Sequence, residues 1–263
     1  MKNYVITGAS GGIASAVKAK LLARGDARVM GIDLKGADCN VNLATAEGRK
    51  AAVDAVHETF PEGIDGLVCC AGISGAGTNY ALMMQVNFYG ASAIAEGCFD
   101  LLEKKAGYCV MLSSFSIAEG YVIPDFVKMA MEENSEEKMT AVLNSMDKSR
   151  TGLGSAVYIT SKYCLTLWVR RRAALWGSKH VHINCVAPGT TNTGMVANMN
   201  ERAMSALKAL PVPCKYGESL MLEPEEVADV ICFLLSPASK GMHGTMVFVD
   251  GGCDAVINTE HVY

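Results

Sequence analysis

No apolar run in this sequence is long enough to cross a bilayer, so no transmembrane helix is expected and no membrane partner. A charged-then-apolar leader is also missing. The short apolar run Tyr4–Ile6 passes at once into a glycine-rich turn, as a strand would. There is no Cys-x-x-Cys pair and no Cys/His ligand spacing, so no metal is expected. The ten cysteines are scattered singly apart from Cys69–Cys70. That pattern suits reduced thiols packed as small hydrophobes, and hence a cytoplasmic protein. Nor is there an excess of basic charge. A formal net charge of -4 leaves no electrostatic footprint for nucleic acid. The one basic cluster, Arg170–Arg172, reads as the solvated face of a helix. No linker, repeat or biased stretch divides the chain, so residues 1–263 are expected to form a single domain.

What is present is apolar material for a large core, 50% of the residues, arranged in alternation. Short β-rich runs lie at Asn3–Thr7, Arg28–Asp33, Gly66–Cys70, Tyr108–Leu112, His182–Ala187 and Thr245–Asp250. Several are almost continuously apolar, as in strands covered by helices on both faces. Helical patterns fall between them: Ile13–Arg24, Ala46–Phe60, Met83–Lys105, Ala156–Trp176 and Pro224–Leu235. The last opens on Pro224 and two glutamates, which suit a first helical turn. This order implies an α/β fold: a doubly wound, mostly parallel, Rossmann-like sheet with right-handed crossovers. Two stretches break the rhythm. One, between Gly120 and Gly154, is polar and methionine-bearing; the other, between Thr190 and Leu222, is irregular with a helix around Glu201–Leu210. Both follow strands, at the carboxyl edge where such sheets bind ligands.

The turn after the first strand reads Thr7-Gly8-Ala9-Ser10-Gly11-Gly12-Ile13-Ala14. Small residues there let the backbone approach a pyrophosphate, and the following helix offers unpaired N–H groups to the anion. The second strand ends on Asp33, about twenty residues beyond the last glycine. A carboxylate there accepts hydrogen bonds from ribose hydroxyls and repels a 2′-phosphate. NAD is therefore expected in preference to NADP. Farther along, Tyr158-Ile159-Thr160-Ser161-Lys162 sets a tyrosine and a lysine on one helix face, a turn apart. A nearby ammonium stabilises a phenolate, so this tyrosine is expected to titrate below its ordinary value and to exchange a proton with an alcohol.

Taken together, these features resemble the short-chain dehydrogenase/reductase family over essentially the whole chain. The resemblance rests on the turn Gly8–Ala14, Asp33, Cys70-Ala71-Gly72, Asn87, Ser113-Ser114, Tyr158 with Lys162, Pro188-Gly189 and Asp250-Gly251-Gly252. It implies that Tyr158 is the general acid/base, with Lys162 lowering its pKa and binding the nicotinamide ribose. Ser114 would hold the substrate oxygen, with Ser113 its packing neighbour, and Asn87 would join a water-linked proton relay. Gly8, Ser10, Gly11, Gly12 and Ile13 would cradle the pyrophosphate, and Cys70, Ala71 and Gly72 would line the cofactor cleft. Pro188, Gly189, Thr191 and Thr193 resemble the segment that contacts the carboxamide. Three positions depart from the family pattern. Ala14 replaces a third glycine and would enlarge the turn. Cys69-Cys70 stands where paired asparagines are frequent. Asn42-Leu43 replaces an aspartate-bearing pair near adenine, where asparagine can still accept the amino group.

The distance from Ser114 to Tyr158 is unusually long for the family, which implies an insertion after its fifth strand. That insertion, with Gly31-Ile32-Asp33, Ala44–Lys50, Asp65–Val68 and Asp250–Val256, resembles the branch of bacterial 3α-hydroxysteroid dehydrogenases/carbonyl reductases. The resemblance implies reversible hydride transfer between NAD(H) and a ring hydroxyl of a steroid or bile acid. Met195, Val196, Met199, Met204, Leu207, Met221 and Leu222 would give a soft cover for such an apolar substrate, or would simply pack a substrate lid onto the domain. A general carbonyl or quinone reductase and a 3-oxoacyl-thioester reductase stay open, as, more remotely, does a non-catalytic NAD-sensing protein. The insertion should obstruct a subunit contact common among relatives, so a homodimer through the last helix and last strand is expected.

Overall fold

The computed structural model describes residues 1–75, 79–197, 201–215 and 221–261. Seven strands form one sheet: β1 (Lys2–Thr7), β2 (Ala27–Asp33), β3 (Cys39–Asn40), β4 (Gly66–Cys69), β5 (Tyr108–Leu112), β6 (His182–Pro188) and β7 (Met246–Val249). Their order is β3-β2-β1-β4-β5-β6-β7, and every neighbouring pair is parallel. β3 was not among the expected strands. It is a two-residue edge strand whose residues are half-buried and exposed, so no apolar run announces it. The other six appear where the apolar runs lie, shifted at their ends by no more than a residue.

Side chains alternate between two cores. Tyr4, Ile6, Val68, Val110 and Val186 face one side; Val5, Leu67, Cys69, Cys109, Met111 and Ile183 face the other. The first core is closed by α1 (Gly12–Leu22), which lies against the late helix Pro224–Leu234. The second is closed by α2 (Ala46–Thr59), capped by the Thr45 side chain on Gly48 N–H, and by helices farther along. The single helix expected over Met83–Lys105 is instead broken. It runs as α3 (Tyr80–Met84), a π-helical stretch Gln85–Gly90, α4 (Ala91–Gly97) and α5 (Phe99–Glu103), interrupted at Cys98 with φ −104° and ψ 5°. The apolar periodicity is continuous there, and hydropathy alone does not register an added residue in one turn.

The inserted segment is not irregular. It forms α6 (Pro124–Lys128), a second π-helical stretch Met129–Glu133, and α7 (Glu136–Ser145). Ser135 caps α7 through the Lys138 N–H, and Glu136 and Glu137 occupy its first turn. Phe126, Met129, Met139 and Leu143 are buried in the second core, and Arg49 of α2 grips Glu136 at 2.6 and 2.8 Å. The insertion is part of the folded body. After it comes α8 (Leu153–Ser178), the 26-residue helix that carries Tyr158 and Lys162. Beyond β6 lie α9 (Gly194–Ala197), α10 (Glu201–Lys208) and a 3₁₀ turn at Pro213–Lys215. α11 (Pro224–Leu234) opens on a capping box between Glu223 and Glu226, and α12 (Cys253–Ile257) follows β7. Among the described residues, no helix is long and apolar enough to cross a membrane.

Candidate active site

The strand order reverses between β1 and β4, and the loops leaving those two strands lie against each other at the carboxyl edge. Gly8 leaves β1 with φ +68°, and a Cβ on it would stand 2.7 Å from the Ala71 Cα. Only glycine satisfies both conditions. The Gly11 N–H closes the turn on the Gly8 carbonyl at 2.9 Å, and α1 begins at Gly12. Ser10 and Gly11 are exposed, and Gly12 and Ile13 half-buried. Ala14 is 1% exposed within the first core, so its methyl packs beneath the turn instead of enlarging it.

Asp33 ends β2 beside this turn. Its carboxylate accepts the Ser10 N–H at 2.9 Å and the Leu34 N–H at 2.6 Å. The Ser10 hydroxyl donates to the Lys35 carbonyl at 2.9 Å, which draws the loop after β2 over the glycine turn. Asn42 and Leu43 are not drawn in by any comparable bond. The Asn42 carboxamide oxygen accepts the Ala44 N–H at 3.0 Å in its own turn, and Leu43 is buried in the core.

The proton-transfer candidates converge farther along the same edge. Ser114, just after β5, is buried; its Oγ accepts the Ser116 hydroxyl at 3.0 Å and the Ser116 N–H at 3.3 Å. Tyr158 lies against Ser114. Burial pushes its phenol above the ordinary value, and hydrogen bonding with the Ser114 side chain pulls it partly back. This corrects the expected lowering by Lys162, which is not among the causes. The Lys162 ammonium donates instead to the Leu112 carbonyl at 2.8 Å, and burial lowers its own pKa to about 8. With no phenolate beside it, the ammonium is a buried cation against one carbonyl dipole, so desolvation dominates.

Asn87 sits within the first π-helical stretch and is fully buried. Its side chain accepts the Ile73 N–H at 2.8 Å and donates to the Ile73 carbonyl at 3.0 Å and the Ser161 hydroxyl at 3.2 Å. The amide holds the loop after β4. A Cβ on Gly72 would stand 3.3 Å from both the Asn87 Oδ1 and the Lys162 Nζ, which places the cleft floor between them. Cys70 follows β4 near Lys162, and burial pushes its thiol up to about 12, so it is no nucleophile. Ser113 is tied to α8 through the Lys162 carbonyl at 3.2 Å and the Thr166 hydroxyl at 2.9 Å.

From β6, Pro188 is buried and Gly189 packs so closely that a Cβ would stand 2.7 Å from the Asp250 Cα. The Thr191 hydroxyl donates to the Gly189 carbonyl at 2.9 Å, and a Cβ on Gly12 would meet the Thr193 methyl at 2.9 Å. The segment therefore arches back over the start of α1. Of the expected apolar cover, Val196 and Leu222 are buried while Met195 is exposed; Met199 lies outside the described residues. Three participants were missed by sequence reasoning: Ser116, the Ile73 backbone and the Leu112 carbonyl. Ser116 alone had a legible signal, a hydroxyl two residues beyond Ser114 able to bond it in a tight turn.

A family model described as Enoyl-(Acyl carrier protein) reductase matches residues 125–254. The chain is 34% identical to a 3-alpha-hydroxysteroid dehydrogenase/carbonyl reductase from Comamonas testosteroni, over 98% of each sequence. It is 26% identical to the 3-oxoacyl-[acyl-carrier-protein] reductase FabG of Vibrio cholerae, over 95% of this chain and 96% of that one. The crystal structure of the 3-alpha-hydroxysteroid dehydrogenase from Pseudomonas sp. B-0831 complexed with NADH superposes with a TM-score of 0.88 at 32% identity, covering 99% of this chain and all of that one. Fold, full-length similarity and the convergence of Ser114, Tyr158 and Lys162 agree: the chain belongs to the short-chain dehydrogenase/reductase family of oxidoreductases.

Proposed function

We propose that this protein reversibly oxidises a ring hydroxyl of a steroid or bile acid, most specifically a 3α-hydroxysteroid, with NAD(H) as cofactor. The observation that carries the reading is the buried Ser114 hydrogen-bonded with the half-buried Tyr158, with the buried Lys162 on the same helix, at the carboxyl edge of the sheet. The side chains present fit a dinucleotide. A turn whose Gly8 admits no Cβ leads into an eleven-residue helix, and a carboxylate stands at the end of the next strand. Asp33 supports NAD over NADP. Likeness to two hydroxysteroid dehydrogenases spans the inserted segment, which supports the substrate class.

NAD(H) supplies the hydride acceptor or donor when bound. The chain's own residues manage the oxygen and its proton. Ser114 already accepts two hydrogen bonds from Ser116, so its own O–H is left to point at Tyr158 or at a substrate oxygen. Tyr158 takes the alcohol proton in oxidation and returns it in reduction. Burial raises its phenol in the resting site, and the hydrogen bond with Ser114 counters part of that rise. Asn87 keeps the loop after β4 in place through Ile73 and so fixes the wall on which Gly72 leaves room for the Lys162 ammonium.

The whole chain acts as one domain in the cytoplasm, a placement supported by ten free cysteines, most of them buried. It works as a homodimer through β7 and α12, where Val256 and Ile257 are 45% and 40% exposed. The inserted helices α6 and α7 pack on α8 and α3, which supports an interface placed elsewhere on the subunit. No nucleic acid or membrane partner is proposed. A second reading, reduction of 3-oxoacyl thioesters, is favoured by the FabG similarity. The two are separated by following NADH at 340 nm across 3α-hydroxysteroids, bile acids and acyl thioesters. Steroid turnover is expected, falling by about a hundredfold or more in Tyr158→Phe while NADH still binds. Fast turnover of a thioester with none of any steroid refutes the substrate class; near-normal rate in Tyr158→Phe removes Tyr158 from the chemistry.

A further inference from the structure

The inserted helices reach the cofactor side of the molecule through one buried arginine. Arg49, in α2, is 8% exposed and bonds on two fronts. Toward the insertion, Nη1 and Nη2 donate to the two carboxylate oxygens of Glu136, the first residue of α7, at 2.8 and 2.6 Å. Toward the loop after β3, Nη2 also donates to the Ala44 carbonyl at 3.2 Å, and Nε donates to the Thr45 carbonyl at 3.1 Å. Four of the five N–H donors of a guanidinium are thereby spent. A lysine, with three donors on one nitrogen, has no planar fork to span these partners.

The turn that Arg49 holds is closed on itself. The Asn42 carbonyl accepts the Thr45 N–H at 3.2 Å and the Thr45 hydroxyl at 3.3 Å, and Leu43 and Ala44 are buried. Against it lies the π-helical stretch that carries Asn87: a Cβ on Gly90 would stand 3.0 Å from the Leu43 carbonyl oxygen. That stretch is itself tied to the insertion, because the Gln85 side chain donates to the Thr140 hydroxyl of α7 at 3.3 Å.

The turn's place beside the sheet gives it a task. A dinucleotide with its pyrophosphate at the start of α1 and its ribose hydroxyls on Asp33 runs outward from β1 over β2. β3 is the neighbour of β2 on that side, and the turn Asn42–Thr45 follows β3. The adenine end therefore comes up against this turn. Glu136 answers the charge of the guanidinium and lets it stay buried; an unpaired cation there would turn toward water and release the Ala44 carbonyl. We infer, given NAD(H) as the cofactor, that Arg49 is a positioning residue for its adenosine half, held in place by Glu136, so that the insertion braces the wall of the adenine pocket.

The test is fluorescence titration of the full-length protein with NADH, followed by displacement with 5′-AMP and, separately, with nicotinamide mononucleotide, the two halves of the cofactor. In Arg49→Lys, NADH and 5′-AMP should both bind about tenfold more weakly, the worth of a hydrogen bond or two misplaced at the adenosine end. The mononucleotide should stay within about twofold of its affinity for the parent protein, a split that general loosening of the fold would not produce. Glu136→Gln, at a half-buried position, should weaken 5′-AMP severalfold in the same selective way. Should Arg49→Lys not fold, Glu136→Gln decides by the same comparison. Parent-like affinity for 5′-AMP in either variant, or a mononucleotide weakened as much as 5′-AMP, overturns the role of Arg49 and leaves the cofactor standing. A parent protein that binds no NADH overturns both.

Discussion

Lys162 offers the sharpest test of the site, because its charge can be read through stability without any substrate. Its side chain is 4% exposed, and its ammonium meets one carbonyl, that of Leu112, at 2.8 Å. Burial holds its pKa at about 8 against an ordinary 10.5. The folded protein therefore binds this proton less tightly than the unfolded chain does. Between about pH 8 and 10.5 the unfolded state carries the extra proton, so this group makes stability rise with pH. Integrated from pH 7 to 9.5, the gain is about 2 kcal/mol. Buried thiols act in the opposite sense. Burial raises Cys70, Cys98 and Cys164 to about 12, so unfolding releases their protons as pH rises and stability falls. The wild-type curve alone would thus mix the two.

Lys162→Met separates them. Methionine fills much of the same volume without a charge, and the cysteine contributions are common to both proteins. The Leu112 hydrogen bond cancels as well, because a neutral amine still donates. Urea unfolding of both proteins at pH 7 and 9.5 then gives a difference of differences: wild type should gain about 2 kcal/mol on the variant over that interval. Steroid oxidation should fall by at least a hundredfold in the variant at either pH. Parallel stability changes in the two proteins would mean that Lys162 is solvated, and would remove the physical basis for its action on Tyr158.

Asp33→Ala should relax the preference for NAD over NADP about tenfold or more, since a carboxylate close to a 2′-phosphate is repulsive by several kcal/mol at intermediate dielectric. Steady-state kcat/KM with each cofactor measures it, and an unchanged ratio makes Asp33 incidental. For the assembly, Ile257→Asp at a 40% exposed position of α12 should turn the dimer into monomer in sedimentation equilibrium, without loss of secondary structure. A dimer that persists, or a tetramer in the parent protein, defeats the proposed interface.

The sheet was legible because its strands are buried on both faces. Tyr4–Ile6, Gly66–Cys69 and Val110–Met111 have no polar side chain to interrupt the apolar run, and glycine turns punctuate them. β3 was not legible: two residues at an edge bury too little to leave a pattern. The inserted helices were hidden for another reason. The run Glu132–Lys138 looks like a solvated loop, yet Ser135 is a cap, two glutamates follow it in the first turn, and the apolar residues that bury the helix, Met139 and Leu143, lie beyond the polar run. The pair Tyr158 and Lys162 was readable from helical spacing, and the structure keeps them on one helix. Their electrostatics were not readable. Whether a lysine four residues from a tyrosine spends its proton on the phenol or on a carbonyl depends on the Leu112 backbone, fifty residues away in sequence.

Asn87 and Lys162 flank Gly72, and the two buried polar groups differ in how well their partners satisfy them. Asn87 is satisfied on every side: two bonds to Ile73 and one to Ser161 fix a loop that would otherwise lack partners. Truncating it would leave the Ile73 N–H and carbonyl unpaired at about 1–3 kcal/mol for each group that stays buried, a structural penalty whatever the chemistry. Lys162 is the reverse. Its single carbonyl partner does not repay the removal of an ammonium from water, as the depressed pKa records. A methionine would stabilise the folded chain better at neutral pH. A charge held at a cost, next to a phenol that burial pushes upward, has a use only when a second negative group forms beside it. We propose the Tyr158 phenolate as that group: it forms when Tyr158 gives its proton to the substrate oxygen in reduction and is consumed when it takes the alcohol proton in oxidation.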